Sequence, residues 1–165
     1  APVDEQAADV GRALRALREQ AARGGYDPDR ILLFGHSAGA HLAALVASDP
    51  QYAGDAFAAI RGVIPVDGAC YDVPAQISPI THAGGRDVAD WLLLHTSARD
   101  DAAAQSRALG AAVERGGAQV QLVEVRARSR NALAAHREIN VDFGTANYAA
   151  NPAILAMMAR IERRQ

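Results

Sequence analysis

The stretch Ile31-Leu32-Leu33-Phe34-Gly35-His36-Ser37-Ala38-Gly39-Ala40-His41-Leu42-Ala43-Ala44-Leu45 joins two kinds of local pattern. Its first four residues form a continuous apolar run, as expected of a strand buried on both faces. Residues 38–48 are rich in Ala and Leu with few polar positions, which predicts a buried helix. Between them, Gly35-His36-Ser37-Ala38-Gly39 matches G-x-S-x-G, the sharp strand-to-helix turn that exposes a nucleophilic serine. The spacing has a steric reason. Small residues two before and two after Ser37 let strand and helix pack close while the turn lifts the hydroxyl clear of the sheet edge. The turn also aims the Ala38 backbone N–H at a developing oxyanion, and the helix N-terminus adds positive potential there. A dinucleotide-binding turn is the bland alternative, but it would want G-x-G-x-x-G, which this spacing does not fit.

Outward from this turn the chain alternates between helical and strand-like segments, which predicts an α/β fold with a mostly parallel sheet. Val10, Ala13, Leu14, Leu17 and Ala21 recur at helical spacing within 4–23, and Gly24-Gly25 ends that helix. Asp27-Pro28-Asp29 reads as a turn. Further strands are predicted at 62–66, 91–95 and 120–125, with Pro65 a weak point unless it marks a strand end or irregularity. Helices are predicted over 101–115 and from Asn151, with Pro152 in the first turn and Ile154, Met157, Met158 and Ile161 as the apolar stripe. The irregular stretch 67–90 is long for a plain connection, and such stretches often border sites.

Bulk properties exclude several classes. The 165 residues suit one domain, 1–165, and 50% are hydrophobic. Seventeen basic against nineteen acidic residues leave a net charge of −2, so no basic excess points to nucleic acid or an anionic membrane. No run approaches membrane-spanning length. Cys70 is the single cysteine, which removes any intrachain disulfide or cysteine-based zinc site. The start, Ala1-Pro2-Val3-Asp4-Glu5, has neither the basic nor the apolar stretch of a leader, although it also lacks Met. A reducing, cytoplasmic setting is the expectation.

A serine hydroxyl needs a base, and the base needs an orienting acid. With the nucleophile on such a turn, the chain order is Ser, then acid, then His. Asp100 and Asp101 follow the strand ending at His95. His136 is the one histidine beyond that point. The order Ser37, Asp100 or Asp101, His136 therefore fits. His82, in a loop, is the rival base. His36 is expected to pack beside Ser37, His41 to be buried and hydrogen-bonded, and His95 to support the acid loop. No pair has metal-ligand spacing, so no metal is expected, and acyl transfer of this kind needs no cofactor.

The segment Asp27-Pro28-Asp29-Arg30-Ile31 followed by Gly-His-Ser-Ala-Gly-Ala-His-Leu-Ala-Ala-Leu-Val-Ala resembles the esterase and arylformamidase branch of the α/β-hydrolases, relatives of the hormone-sensitive-lipase-like carboxylesterases. Gly62-Val63-Ile64 with Asp67-Gly68, Tyr71-Asp72-Val73-Pro74, Ser78-Pro79-Ile80-Thr81-His82 and His136-Arg137-Glu138-Ile139-Asn140 are similar as well, so the likeness runs over about 4–160. It implies Ser37 as nucleophile, His136 as base and Asp100 as acid. Thr96 stands where the family usually has Gly, and the loop 96–101 is one residue longer than usual, which leaves Asp101 as the alternative acid.

The family's sheet begins with strands before the first helix read here, and its His- and Gly-rich loop supplies further oxyanion donors. The expectation is therefore a C-terminal half of an α/β-hydrolase fold: about four mostly parallel strands flanked by helices, in a piece of a longer hydrolase. With Ala38 as its one donor the 165-residue chain alone could be inactive, because a lost oxyanion donor typically costs about 10² to 10³ in rate. The implied substrates are small carboxylic esters, then N-formyl aryl amides, with sugar-linked acyl esters a further option. The competing class is a catalytically silent interaction module that buries an open sheet edge, in a homo-oligomer or against another partner.

Overall fold

A computed structural model describes residues 1–163. Its elements run in the order α1 (Val3–Gly24), β1 (Ile31–His36), α2 (Ala38–Ser48), α3 (Pro50–Ala53), β2 (Ile60–Val66), α4 (Pro79–His82), β3 (Asp90–Thr96), α5 (Asp100–Arg115), β4 (Gln119–Val125), α6 (Ala132–Val141) and α7 (Asn151–Arg163), with 3₁₀ turns at Gly54–Ala59 and Ala75–Ile77. The four strands form one sheet in the order β1-β2-β3-β4. All three pairings are parallel. A parallel pair needs a crossover between its strands, and the intervening helices supply it.

Period-two alternation along the strands divides the core into two. Val63, Trp91 and Leu93 join α1, α2 and α5 residues such as Leu14, Leu45 and Leu109 on one face. Ile64, Val66, Leu92 and Leu94 meet Ile139, Met157 and Ile161 of α6 and α7 on the other. Every residue of β3 is buried, whereas β1, whose apolar run predicts burial on both faces, ends the strand order, with Leu32 and Leu33 half-buried and Phe34 exposed. The edge strand β4 is mostly exposed. Asp90 at the start of β3 is fully buried and takes a two-pronged ion pair from Arg160 of α7, both bonds at 2.9 Å. Pro65 lies inside β2 rather than at its end. The strand pairs with β3 at Val63–Trp91 and Val66–Leu94, and Pro65, which has no N–H to donate, sits in the interval.

Two features depart from the sequence reading. Asp49-Pro50 starts a short helix that periodicity does not announce: the Asp49 carboxylate accepts from the Gln51 N–H while Pro50 occupies the first turn. The segment carrying His136 is a helix, α6, capped by the Asn131 side chain on the Ala134 N–H. Among the described residues no helix is long and apolar enough to cross a membrane.

Candidate active site

The register of the sheet brings the site together. His36 of β1 pairs with Val66 of β2, and Val66 with Leu94 of β3, so Ser37, Asp67 and the loop after β3 leave the sheet side by side. The ladder continues one step into these residues. Ser37 N–H donates to the Val66 carbonyl at 3.0 Å, and Asp67 N–H to the Leu94 carbonyl at 2.7 Å.

Ser37 joins β1 to α2 with φ 58° and ψ −119°. A residue other than glycine in such a conformation is strained by about 1–3 kcal/mol and persists only where its surroundings impose it. The clamp here is backbone packing. A Cβ on Gly35 would lie 2.0 Å from the Gly39 carbonyl oxygen, so only glycine fits where the strand meets the helix. Gly39 differs from expectation: a Cβ there meets nothing within 4 Å. Ala38 is the first residue of α2, so its N–H has no intrahelical acceptor and is free for an anion. Among the described residues the Ser37 hydroxyl makes no hydrogen bond. Serine–base contacts are often loose before substrate binds.

His136 packs against the elbow. Its ring lies 4.4 Å from that of His36, centroid to centroid, and its carbonyl accepts the His36 Nε2–H at 2.9 Å. Burial lowers the pKa of His36, which favours the neutral ring. The partner of His136 is Asp67: Nδ1 lies 2.6 Å from Asp67 Oδ2. At that distance Nδ1 must carry the proton and donate it, which leaves Nε2 free as an acceptor.

Asp67 is fully buried and has φ 52°, in the left-handed region that Asp tolerates better than most residues. Its Oδ1 accepts the Thr96 N–H at 3.0 Å, so the end of β3 anchors this carboxylate through its backbone. Arg99 approaches from the same loop, with Nη1 3.1 Å from Asp67 Oδ2 and 3.0 Å from the Asp67 carbonyl oxygen. The 71–78 segment is fixed from outside by Gln105, whose Oε1 accepts the N–H groups of Tyr71 and Asp72, both at 2.9 Å, and from within by the Ser78 hydroxyl, which donates to the Tyr71 carbonyl at 2.8 Å. Burial pushes the Tyr71 phenol above its usual range, so its hydroxyl stays neutral beside Asp67.

The structure therefore brings His136 against His36, the residue before Ser37, but not the acids expected with it. Asp100 is the exposed first residue of α5 and makes no side-chain contact with His136 among the described residues. Asp101 turns away to Arg99 Nη2 at 2.7 Å, and that hydrogen bond holds its carboxyl below the usual range. The carboxylate on His136 is that of Asp67. Its signal was present in the sequence: an acidic residue directly ending an apolar strand, as Ser37 does one strand earlier. His82 pairs with Asp49 at 3.3 Å and contacts the Gln76 carbonyl, so it does not compete for the base position. His41 is buried and donates from Nε2 to the Ile77 carbonyl at 2.7 Å, as expected. His95 is buried, and its Nδ1 has no partner among the described residues, so it gives the acid loop no support through that nitrogen. A cleft of about 740 Å³, lined by Asp4, Arg12, Tyr52 and His82 among others, contains neither Ser37 nor His136.

This parallel sheet flanked by helices is that of the α/β-hydrolase superfamily. The BD-FAE family model matches residues 1–123, three-quarters of the sequence, and the chain belongs to that family. Solved structures share the fold. A truncated carbohydrate esterase from gut microbiota is 22% identical over 73% of this chain and 59% of its own, with a TM-score of 0.61. A Lactobacillus plantarum WCFS1 protein provisionally described as a carboxylesterase is 19% identical over 93% and 68%, with a TM-score of 0.75. The propionate-bound esterase 2 of Thermogutta terrifontis is 21% identical over 97% and 65%, with a TM-score of 0.70. The present chain thus spans roughly three-fifths to two-thirds of these proteins. No curated protein sequence matches it.

Proposed function

We propose that the chain carries the catalytic residues of a serine carboxylesterase, with Ser37 as nucleophile, His136 as base and Asp67 as the orienting acid. The observation that carries this reading is a histidine that packs on His36, next to a strained serine at a strand-to-helix turn, and whose Nδ1 is held by a buried carboxylate. His136 Nε2 takes the Ser37 proton as Oγ attacks the ester carbonyl carbon. The carbonyl oxygen becomes an oxyanion, and the Ala38 N–H at the start of α2 stabilises it. Collapse of the tetrahedral species expels the alcohol, which takes the proton back from His136. Water, activated by the same base, then attacks the acyl-enzyme, and carboxylic acid leaves with Ser37 restored. Asp67 holds the tautomer in which Nε2 can accept and stabilises the imidazolium as it forms.

Small carboxylic esters are the substrate class, in keeping with the esterases that share the fold; N-formyl aryl amides are the second choice. Hydrolysis of p-nitrophenyl acetate by the chain, beside Ser37→Ala, tests the reading. Turnover that is lost in the variant supports it. A folded wild type no faster than the variant counts against this chain acting as an esterase and favours the silent interaction module.

A further inference from the structure

We propose that Arg99 is a positioning residue of this site: its guanidinium clamps the Asp67 carboxylate against His136 and, by holding Asp101, keeps that carboxylate off the imidazole. Its effect on rate rests on the esterase reading; the clamp itself does not.

Arg99 Nη1 has three oxygen or nitrogen neighbours: the Asp67 carbonyl at 3.0 Å, Asp67 Oδ2 at 3.1 Å and His136 Nδ1 at 2.9 Å. It has two hydrogens. Nδ1 already carries a proton, because a lone pair facing Oδ2 at 2.6 Å would repel it. The two Nη1 hydrogens therefore go to the two Asp67 oxygens, and Arg99 and His136 are two donors converging on one carboxylate. Contact with the carbonyl and with Oδ2 of the same residue fixes the Asp67 backbone and its side-chain rotation together, at a position whose positive φ needs such support.

Charge points the same way. Asp67 is fully buried, and a buried carboxylate needs a cation and hydrogen bonds to persist. Before proton transfer His136 is neutral, so the positive charge must come from Arg99. Burial works against the guanidinium, but the Asp101 and Asp67 carboxylates outweigh it and hold its pKa above the ordinary value. The Asp101 carboxylate, 2.7 Å from Nη2, is thereby engaged on the far side of the guanidinium. This explains why Asp101 does not reach His136. An ammonium could make one of these bonds, but a planar fork makes them at once.

The test uses Arg99→Met, Arg99→Lys and Asp101→Asn in the full chain. Each is read by p-nitrophenyl acetate kinetics, by the far-downfield proton signal of the Asp67–His136 hydrogen bond, and by circular dichroism for folding. Arg99→Met is expected to lose about 10²-fold in kcat with KM nearly unchanged, the scale of a misplaced catalytic group. Its downfield signal should broaden or vanish. Arg99→Lys should recover part of both, and Asp101→Asn should stay near wild type. If Arg99→Met does not fold, Arg99→Gln, whose amide can still donate to Asp67, replaces it with an intermediate loss. A folded Arg99→Met with wild-type kcat and an unchanged downfield signal overturns the proposal. If the wild type shows the signal and Arg99→Met loses it, but neither protein hydrolyses ester, the clamp stands and the esterase reading fails.

Discussion

Asp67 Oδ2 stands 2.6 Å from His136 Nδ1 although 69 residues of sequence separate the two. The sheet closes that distance. Asp67 ends β2 one strand away from the Ser37 turn, and α6 returns His136 across the same end of the sheet, where its ring stacks on His36. Asp67 thus leaves the strand next to that of Ser37, and the loop after β3 contributes Thr96 and Arg99 as its supports.

Gly35 and Gly39 look equivalent in the motif but are not in space. Gly35→Ala drives a Cβ to 2.0 Å from the Gly39 carbonyl, so strand and helix must part; a loss of about 1–3 kcal/mol or more is expected by urea unfolding. Gly39→Ala has room and sits in the first turn of a helix, where alanine is the better helix former, so its stability should equal or exceed wild type. Equal losses in both variants would contradict this assignment.

The ion pair between Arg160 and Asp90 ties α7 to the start of β3. Asp90 is fully buried and its charge strengthens the Arg160 guanidinium's hold on its proton. Arg160→Met removes the two-pronged partner of a buried carboxylate and should lower stability by about 3 kcal/mol. Arg160→Lys, with a single contact, should fall between. A midpoint for Arg160→Met within error of wild type would show that α7 docks without this pair.

His36 predicts an acid-side loss of stability. Its ordinary value is 6.5, and burial lowers it in the fold. Below about pH 6.5 the unfolded chain therefore takes up a proton that the folded chain resists, and acid favours unfolding. The stability associated with His36 is present above that value and fades as pH falls through it. Melting temperatures measured from about pH 8 down to about pH 5 should fall less steeply in His36→Asn than in wild type. Parallel curves would remove His36 from the account.

The strand–turn–helix from Ile31 to Ser48 was legible because its pattern is local: an apolar run, a steric motif and a continuous Ala/Leu helix. The return of His136 to the Ser37 turn was legible by chain order. Its carboxylate partner was not, because chain order permits more than one loop, and what separates them is a contact between distant residues. Asp101 is engaged by Arg99, while Asp67 receives the Thr96 N–H and the imidazole. Helix α6 was missed for a different reason. It is short, and its cap, Asn131 on the Ala134 N–H, is a three-residue signal without a strong apolar stripe behind it.

The most direct measurement is the rate at which a fluorophosphonate labels Ser37, read by mass spectrometry, in wild type, Asp67→Asn and the Asp100→Asn/Asp101→Asn double variant. Removing the acid leaves the imidazole in the wrong tautomer, which costs about 10⁴ in kcat in a well-studied triad. The account predicts labelling of the wild type, a loss of several orders of magnitude in Asp67→Asn, and a rate within a few-fold of wild type in the double variant. Loss of labelling in the double variant with retention in Asp67→Asn would return the acid to the loop after β3, and a folded wild type that is not labelled at all would contradict the assembled site.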